Sequence, residues 1–219
     1  MEVAVISDVH ANRVALDTVL ADIDDVAAIV CAGDIVGYNP WPAACVDALR
    51  ERDITSISGN HDRMLSSGRN FGGNGMAQAG IRYARDELND VQRGWLERLP
   101  DERTLLDGRL TLVHGHPSDP DRYTYPEQFG EHLLGEEDVL VLGHTHVQHV
   151  ETYDSGVVLN PGSVGQPRDR DPRAAYAVVD LDTLDVNLRR VEYDIERVTD
   201  AITSAGLPER TGERLRDGR

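Results

Sequence analysis

Val3-Ala4-Val5-Ile6-Ser7-Asp8-Val9-His10 is the stretch on which the fold turns. Four successive small or β-branched apolar residues read as a strand buried on both faces, and the run stops in an Asp-x-His pair. Further runs repeat the arrangement. Ala27 to Cys31 leads into Gly33-Asp34, and Ile54 to Ile57 into Gly59-Asn60-His61-Asp62. Leu110 to Val113 leads into His114-Gly115-His116, and Val139 to Leu142 into Gly143-His144-Thr145-His146. Strand-like runs at Val157 to Leu159, Ala174 to Val179 and Val186 to Val191 continue the sheets, while helical periodicity fills Asn12 to Ile23 and Pro42 to Arg50. Asn74 to Leu99 reads as mostly helical after the Gly72-Gly73 break, Pro117 to Pro126 as a loop, and the end of the chain as charged and frayed. The pattern predicts an α/β or layered α+β domain over residues 1–195 and a charged C-terminal helix or tail over 196–219.

Composition narrows the function classes. The 219 residues carry a formal net charge of -17, the acids are mostly aspartate, and the 22 basic residues are all arginine. This pattern predicts a protein adapted to a very salty, halophilic cytoplasm, where short hydrated carboxylates keep a surface soluble although charges are screened within about 3 Å at 1 M salt; an ordinary acidic protein is the plainer alternative. No stretch approaches the roughly 20 apolar residues of a membrane span, so the expectation is a cytoplasmic protein with no membrane partner. Nucleic acid is a poor partner for a chain without a basic stripe. Cys31 and Cys45 are expected to be small buried hydrophobes, not a disulfide. A homo-oligomer is left open.

The ligand-type residues at the strand ends are the main functional signal. In α/β sheets such sites gather at the carboxyl ends of strands, so the five segments are expected to meet in one crevice. Six of the eight histidines lie in these motifs, with His132 and His149 outside. The i, i+2 pairs Asp8/His10, His114/His116 and His144/His146 would put both side chains on one side of an extended backbone. Gly33, Gly59, Gly115 and Gly143 would ease sharp turns close to bound ions. Oxygen and imidazole without thiolate point to catalytic Mn, Fe, Zn, Ni, Co or Mg rather than structural zinc. Asp8, His10, Asp34, Asn60, His114, His144 and His146 are too many ligands for one ion and suit two, which a carboxylate can bridge.

The order D-x-H, G-D, G-N-H-D, H-G-H, G-H-T-H resembles that of the calcineurin-like metallophosphoesterases, and Asn160-Pro161-Gly162-Ser163-Val164-Gly165-Gln166-Pro167-Arg168 is similar to a segment of their small prokaryotic members. The resemblance implies a four-layer αββα sandwich of two mixed sheets flanked by helices, which periodicity alone does not separate from a doubly wound sheet. It further implies Asp8, His10 and His146 on one metal, Asn60, His114 and His144 on the other, Asp34 as the bridge, and two divalent ions, manganese first among them. Hydrolysis of a small phosphorylated substrate by hydroxide held between the ions follows, with His61 protonating the leaving group or stabilising the transition state. Asp62 is a candidate to orient His61. His116 and Arg168 are candidate substrate contacts; a supporting hydrogen bond for His116, and ion pairs among Arg168, Arg170, Arg173, Asp169 and Asp171, are the competing accounts. Asn12 reads as a helix N-cap before it reads as a phosphate contact. The Ser/Thr phosphatase motif G-D-x-V-D-R-G is not matched by Gly33-Asp34-Ile35-Val36-Gly37-Tyr38-Asn39, which turns the reading toward small phosphodiesters, phosphomonoesters or nucleotides. Asn74 to Leu99 and Tyr123 to Leu134 are candidate walls of the cleft. The alternatives are a binding module that keeps the fold without catalysis, and a nuclease.

Overall fold

The computed structural model describes residues 1–67 and 75–219. From the N-terminus the chain forms β1 (Glu2–Ile6), α1 (Arg13–Asp22), β2 (Ala28–Cys31), α2 (Pro42–Glu51), β3 (Thr55–Ser56), α3 (Asn60–Ser67), α4 (Gly75–Glu87) and α5 (Asp90–Leu96). It continues through β4 (Glu102–Leu105), β5 (Leu110–Val113), β6 (Val139–Val141), β7 (His149–Tyr153), β8 (Gly156–Asn160), β9 (Ala174–Asp180) and β10 (Asp185–Val191) to α6 (Ile195–Ser204) and α7 (Glu209–Asp217). The glycine break at Gly72-Gly73 and the first residue of the expected Asn74 to Leu99 helix lie outside the described residues.

Two mixed five-stranded sheets face each other, ordered β10-β9-β1-β2-β3 and β4-β5-β6-β8-β7. In the first, β1, β2 and β3 run parallel and β9 returns antiparallel beside β1. In the second, β5, β6 and β8 are parallel, with β4 and β7 as antiparallel edges. Alternation along the strands sorts the apolar residues into layers. Val3, Val5, Val30, Leu110, Leu112, Val139, Val141, Val157 and Leu159 fill the space between the sheets. Ile6 turns the other way, into a core shared with Leu16, Val19, Val46 and Leu49 of α1 and α2. Val113, Leu140, Leu142 and Val158 form the outer face of the second sheet, packed with Leu133, Phe129 and Leu134 around two 3₁₀ turns, Pro126–Gln128 and Glu131–Leu133. Each large aliphatic side chain so buried contributes about 1.5–3 kcal/mol. With both faces covered, central strands need no polar face, which is why they stand out as unbroken apolar runs.

Local chemistry sets the helix ends. Asn12 caps α1 through its side chain, accepting from the Ala15 amide at 3.1 Å, as the N-cap reading expects. The expected long helix is broken into α4 and α5 by a capping box in which Asn89 and Gln92 satisfy each other's backbone amides, each at 3.0 Å. The strands β4 and β7 were not foreseen, because as edges they carry polar residues and never make an apolar run.

Of the helix or tail expected at the end of the chain, the structure has helices, and they are packed instead of frayed. α6 and α7 form a helical hairpin whose Val198, Ile202, Leu207 and Leu215 are buried with Val14, Trp41, Ala79 and Tyr83. Replacing Ile202 or Leu215 by alanine is therefore expected to cost about 2–5 kcal/mol in chemical denaturation, whereas Val91→Ala, at a position 62% exposed, should cost less than about 0.5 kcal/mol. A cost under about 0.5 kcal/mol for both buried positions would mean that the hairpin does not hold to the body of the fold in solution.

Candidate metal centre

The carboxyl ends of β1 and β2 in one sheet and of β5 and β6 in the other meet at one edge of the sandwich, and the start of α3 closes the ring. The loops they carry are not extended. Asp8, His10, Asp34, His144 and His146 all have positive φ, between 46° and 67°, a left-handed conformation uncommon for residues other than glycine. Convergence of Asp8 with His10 and of His144 with His146 thus comes from tight left-handed turns in place of the expected extended backbone, while the third pair, His114 and His116, does not converge. Such strain persists only where surrounding contacts over-determine it. Those contacts are present: the amides of Asp8, His10 and Ala11 donate to the carbonyls of Gly33, Asp34 and Ile35 at 3.0, 2.9 and 2.8 Å. Gly33, at φ +94°, supplies the turn that only glycine makes without strain, and a Cβ at Gly59 would collide with the Asp34 carboxylate.

The seven expected ligand residues come together. One ligand atom from each of Asp8, His10, Asp34 and His146 lies within 4.8 Å of the others, and the same holds for Asp34, His114 and His144. Asp34 belongs to both groups. Asn60 joins the second, its Oδ1 3.3 Å from His114 Nε2. Apart from the half-buried Asn60, every member is at most 4% exposed.

Outward-facing hydrogen bonds fix the imidazole tautomers, since a carbonyl can only accept. His10 Nδ1 donates to Val36 at 3.2 Å, His114 Nδ1 to Ala32 at 2.7 Å and His146 Nδ1 to Gln166 at 2.5 Å. His10 and His146 thereby present a bare Nε2 inward, and His114 Nε2 faces the Asp34 carboxylate. His144 is reversed, with Nε2 donating to Asp121 at 3.1 Å and Nδ1 left for the cluster. Asp8 Oδ1 lies 3.2 Å from His146 Nε2 and 3.7 Å from His10 Nε2, and Asp34 Oδ2 lies 3.6 Å from His10 Nε2 and 3.4 Å from His114 Nε2. His10 Nε2 and His146 Nε2 are 3.1 Å apart, and buried Asp8 Oδ1 has no hydrogen-bond partner. The space between them is lined by acceptors that face no donor, an arrangement that a cation relieves.

Titration follows the same surplus of negative charge. Burial raises Asp8 to about 7, with the Asp34 charge adding to the rise. Burial pulls His114 down, but the Asp34 and Asp8 carboxylates beside it outweigh that and raise it to about 9. Asp34 is desolvated too, yet His114 and the neighbouring imidazoles hold it well below the ordinary carboxylate range. His10 and His146 are driven well below the usual imidazole range by burial.

His61 stands beside this cluster, in ring contact with His10 at 4.7 Å and Tyr38 at 4.8 Å, and its Nδ1 is buried without a partner. Its backbone amide donates to Asp34 Oδ1 at 2.7 Å, leaving Oδ2 free to face the histidines. Asp62 does not orient the His61 ring. In α3 its carboxylate reaches back to the Gly59 amide at 3.0 Å and takes the Ile35 and Val36 amides at 3.0 and 3.2 Å, tying the Asp34 loop to the helix start. The Asp62 position three residues after Gly59 was the available signal for this capping role.

Arg168 forms none of the expected ion pairs: Asp169 pairs with Arg190, Asp171 with Arg173 at 2.6 Å, and among the described residues no carboxylate pairs with Arg168. Its guanidinium donates to Gln166 Oε1 at 2.8 Å and Tyr38 Oη at 3.2 Å, and its Nε is buried without a partner. His116 sits outside both groups, its Nδ1 accepting from the Ser118 amide at 3.1 Å in a local turn. The 160–168 segment acts as a bracket: Asn160 Nδ2 donates to Gly143 at 2.8 Å, Ser163 Oγ to the Asp8 carbonyl at 2.8 Å, and the Arg168 amide to the His146 carbonyl at 3.2 Å. Sequence inspection found the segment but gave Asn160, Ser163 and Gln166 no role.

The chain is similar to known proteins along its whole length. The chain is 32% identical to an uncharacterised protein of Methanocaldococcus jannaschii, over 99% of this chain and 98% of that protein. It is 27% identical to the phosphodiesterase YfcE of Escherichia coli, over 85% of this chain and 91% of that one. The crystal structure of a metallophosphoesterase from Sphaerobacter thermophilus is similar at 35% identity and a TM-score of 0.84, over 100% of this chain and 99% of the other. Residues 1–184 match the calcineurin-like phosphoesterase superfamily domain, and the chain belongs to that superfamily.

Proposed function

We propose that the chain hydrolyses small phosphodiesters, phosphomonoesters or nucleotides at a centre of two divalent cations. The observation that carries this reading is the buried, partnerless Asp8 Oδ1 facing the Nε2 atoms of His10 and His146, with Asp34 common to two groups of ligand atoms. Asp8, His10, Asp34 and His146 would hold one ion, and Asp34, Asn60, His114 and His144 the other. Oxygen and imidazole donors suit manganese, our assignment, and also Fe, Zn, Ni, Co or Mg. Ions held there supply Lewis acidity and water activated at neutral pH.

The chain's own residues do the rest. His61 Nδ1 is a polar atom left without a protein partner beside the cluster, and it is available to hydrogen-bond the leaving oxygen or a phosphoryl oxygen. The Arg168 guanidinium, free of carboxylates and steadied by Tyr38 and Gln166, is available to hold a phosphate through its planar fork. His116 turns Nδ1 to Ser118, which leaves Nε2 as its candidate contact for substrate. The low local dielectric around the buried carboxylates and imidazoles strengthens each of these contacts.

In Mn²⁺ buffer the purified protein should hydrolyse bis-nitrophenyl phosphate or nitrophenyl phosphate, and inactivity on both would contradict the reading. His61→Ala should keep its bound metal and lose on the order of 10²- to 10⁴-fold in kcat; an unchanged kcat would remove His61 from the chemistry. Manganese should also stabilise the fold. A ligand at 100 times its Kd contributes about 2.7 kcal/mol, which is on the order of 5–10 °C in Tm for a chain of this size. Scanning fluorimetry with Mn²⁺ against a chelator tests this, and identical Tm values would count against metal binding.

A further inference from the structure

The segment Tyr123-Thr124-Tyr125 carries two aromatic rings that the scheme above does not use. Thr124 is buried between them, and its Oγ1 donates at 3.0 Å to the carbonyl of Gly115, the residue after His114. Pinning the middle residue inward turns its two neighbours outward. Tyr123 and Tyr125 are 44% and 45% exposed, and they are two of the four exposed large hydrophobic side chains among the described residues. Tyr125 leads into Pro126 and the 3₁₀ turn, where its amide donates to Gln128 Oε1 at 2.9 Å, so its backbone is fixed.

The two rings continue the centre outward. Tyr123 stacks on His144, with centroids 3.8 Å and planes 24° apart, and Tyr125 lies nearly parallel to Tyr123 at 5.9 Å and 12°. The charge of Arg168 also acts on the Tyr123 hydroxyl. A cation with spare hydrogen-bonding capacity at the mouth therefore continues into a flat aromatic surface open to solvent. Exposed aromatic faces next to a cationic phosphate contact are what a base attached to a phosphate requires, since stacking needs only a π-face and tolerates any base.

We propose that Tyr123 and Tyr125 form a stacking ledge at the mouth of the centre, selecting phosphoesters that carry a planar heterocyclic base over those that carry only an aliphatic or sugar group. The ledge rests on the phosphoesterase reading and names its substrate class. Tyr125 supplies the outer face, Tyr123 joins it to His144, and Arg168 meets the phosphate.

Two Mn²⁺ assays separate the ledge from the catalytic reading. The first compares kcat/KM on the nitrophenyl ester of thymidine 5′-phosphate with that on methyl nitrophenyl phosphate, two diesters with one leaving group. The wild type should favour the thymidine ester through KM, Tyr125→Ala should reduce that preference about tenfold, and Tyr125→Phe should retain it. The second measures binding of thymidine 5′-monophosphate and inorganic phosphate to the manganese-loaded protein by calorimetry. The nucleotide should bind the wild type more tightly than phosphate does, and Tyr125→Ala should lose about tenfold of that margin. A margin that survives in Tyr125→Ala, or a wild type that binds both ligands equally, would overturn the ledge. Nucleotide binding that depends on Tyr125 in a protein that hydrolyses neither ester would support the ledge and overturn the catalytic reading.

Discussion

Mutual repulsion among buried acceptors is the constraint around which the strand ends are built. Asp8 and Asp34 are two carboxylates in one dry pocket, and His10 and His146 turn bare nitrogens toward them because their other nitrogens are committed to backbone carbonyls. Left alone, such a group must take up protons, and the raised titration of Asp8 and His114 is that response. A fold that keeps these groups together without relief would sacrifice stability for nothing. Cations between them change the sign of the interaction, and Asp34, common to both groups, is the side chain through which two ions would share one carboxylate.

The two-sheet architecture is what makes this assembly possible. Three parallel strands of each sheet send their carboxyl ends toward one edge, so ligands come from chain segments far apart in sequence. Rigidity comes from the backbone. Left-handed turns at Asp8, His10, Asp34, His144 and His146 are held by amide–carbonyl bonds between loops, by the Asp62 carboxylate on three amides, and by the 160–168 bracket. The cost of those turns is met by packing elsewhere, chiefly the dry layer between the sheets.

Much of this was legible in the sequence for a simple reason. Central strands covered on both faces appear as uninterrupted apolar runs, and ligand residues stand at the end of each. Edge strands such as β4 and β7 carry polar residues and gave no such signal. The local geometry was misread because no residue pattern announces a positive φ at Asp8 or His146, so Asp8 with His10 and His144 with His146 were assigned to an extended backbone where the structure has left-handed turns. Partner choice was also hidden. Whether Arg168 pairs with Asp169 or turns to Tyr38 depends on Arg190, a strand away, which takes Asp169 for itself. Asp62 likewise looked like a partner for the adjacent His61, although in a helix neighbouring side chains diverge and the nearer claim came from three backbone amides.

The central claim is that Asp34 joins two cation positions into one centre. Anomalous diffraction from crystals grown in Mn²⁺ tests it most directly. The account predicts two peaks about 3.5–4 Å apart, one on either side of the Asp34 carboxylate, with both lost in Asp34→Ala. A single peak, or two peaks that survive the loss of Asp34, would contradict it.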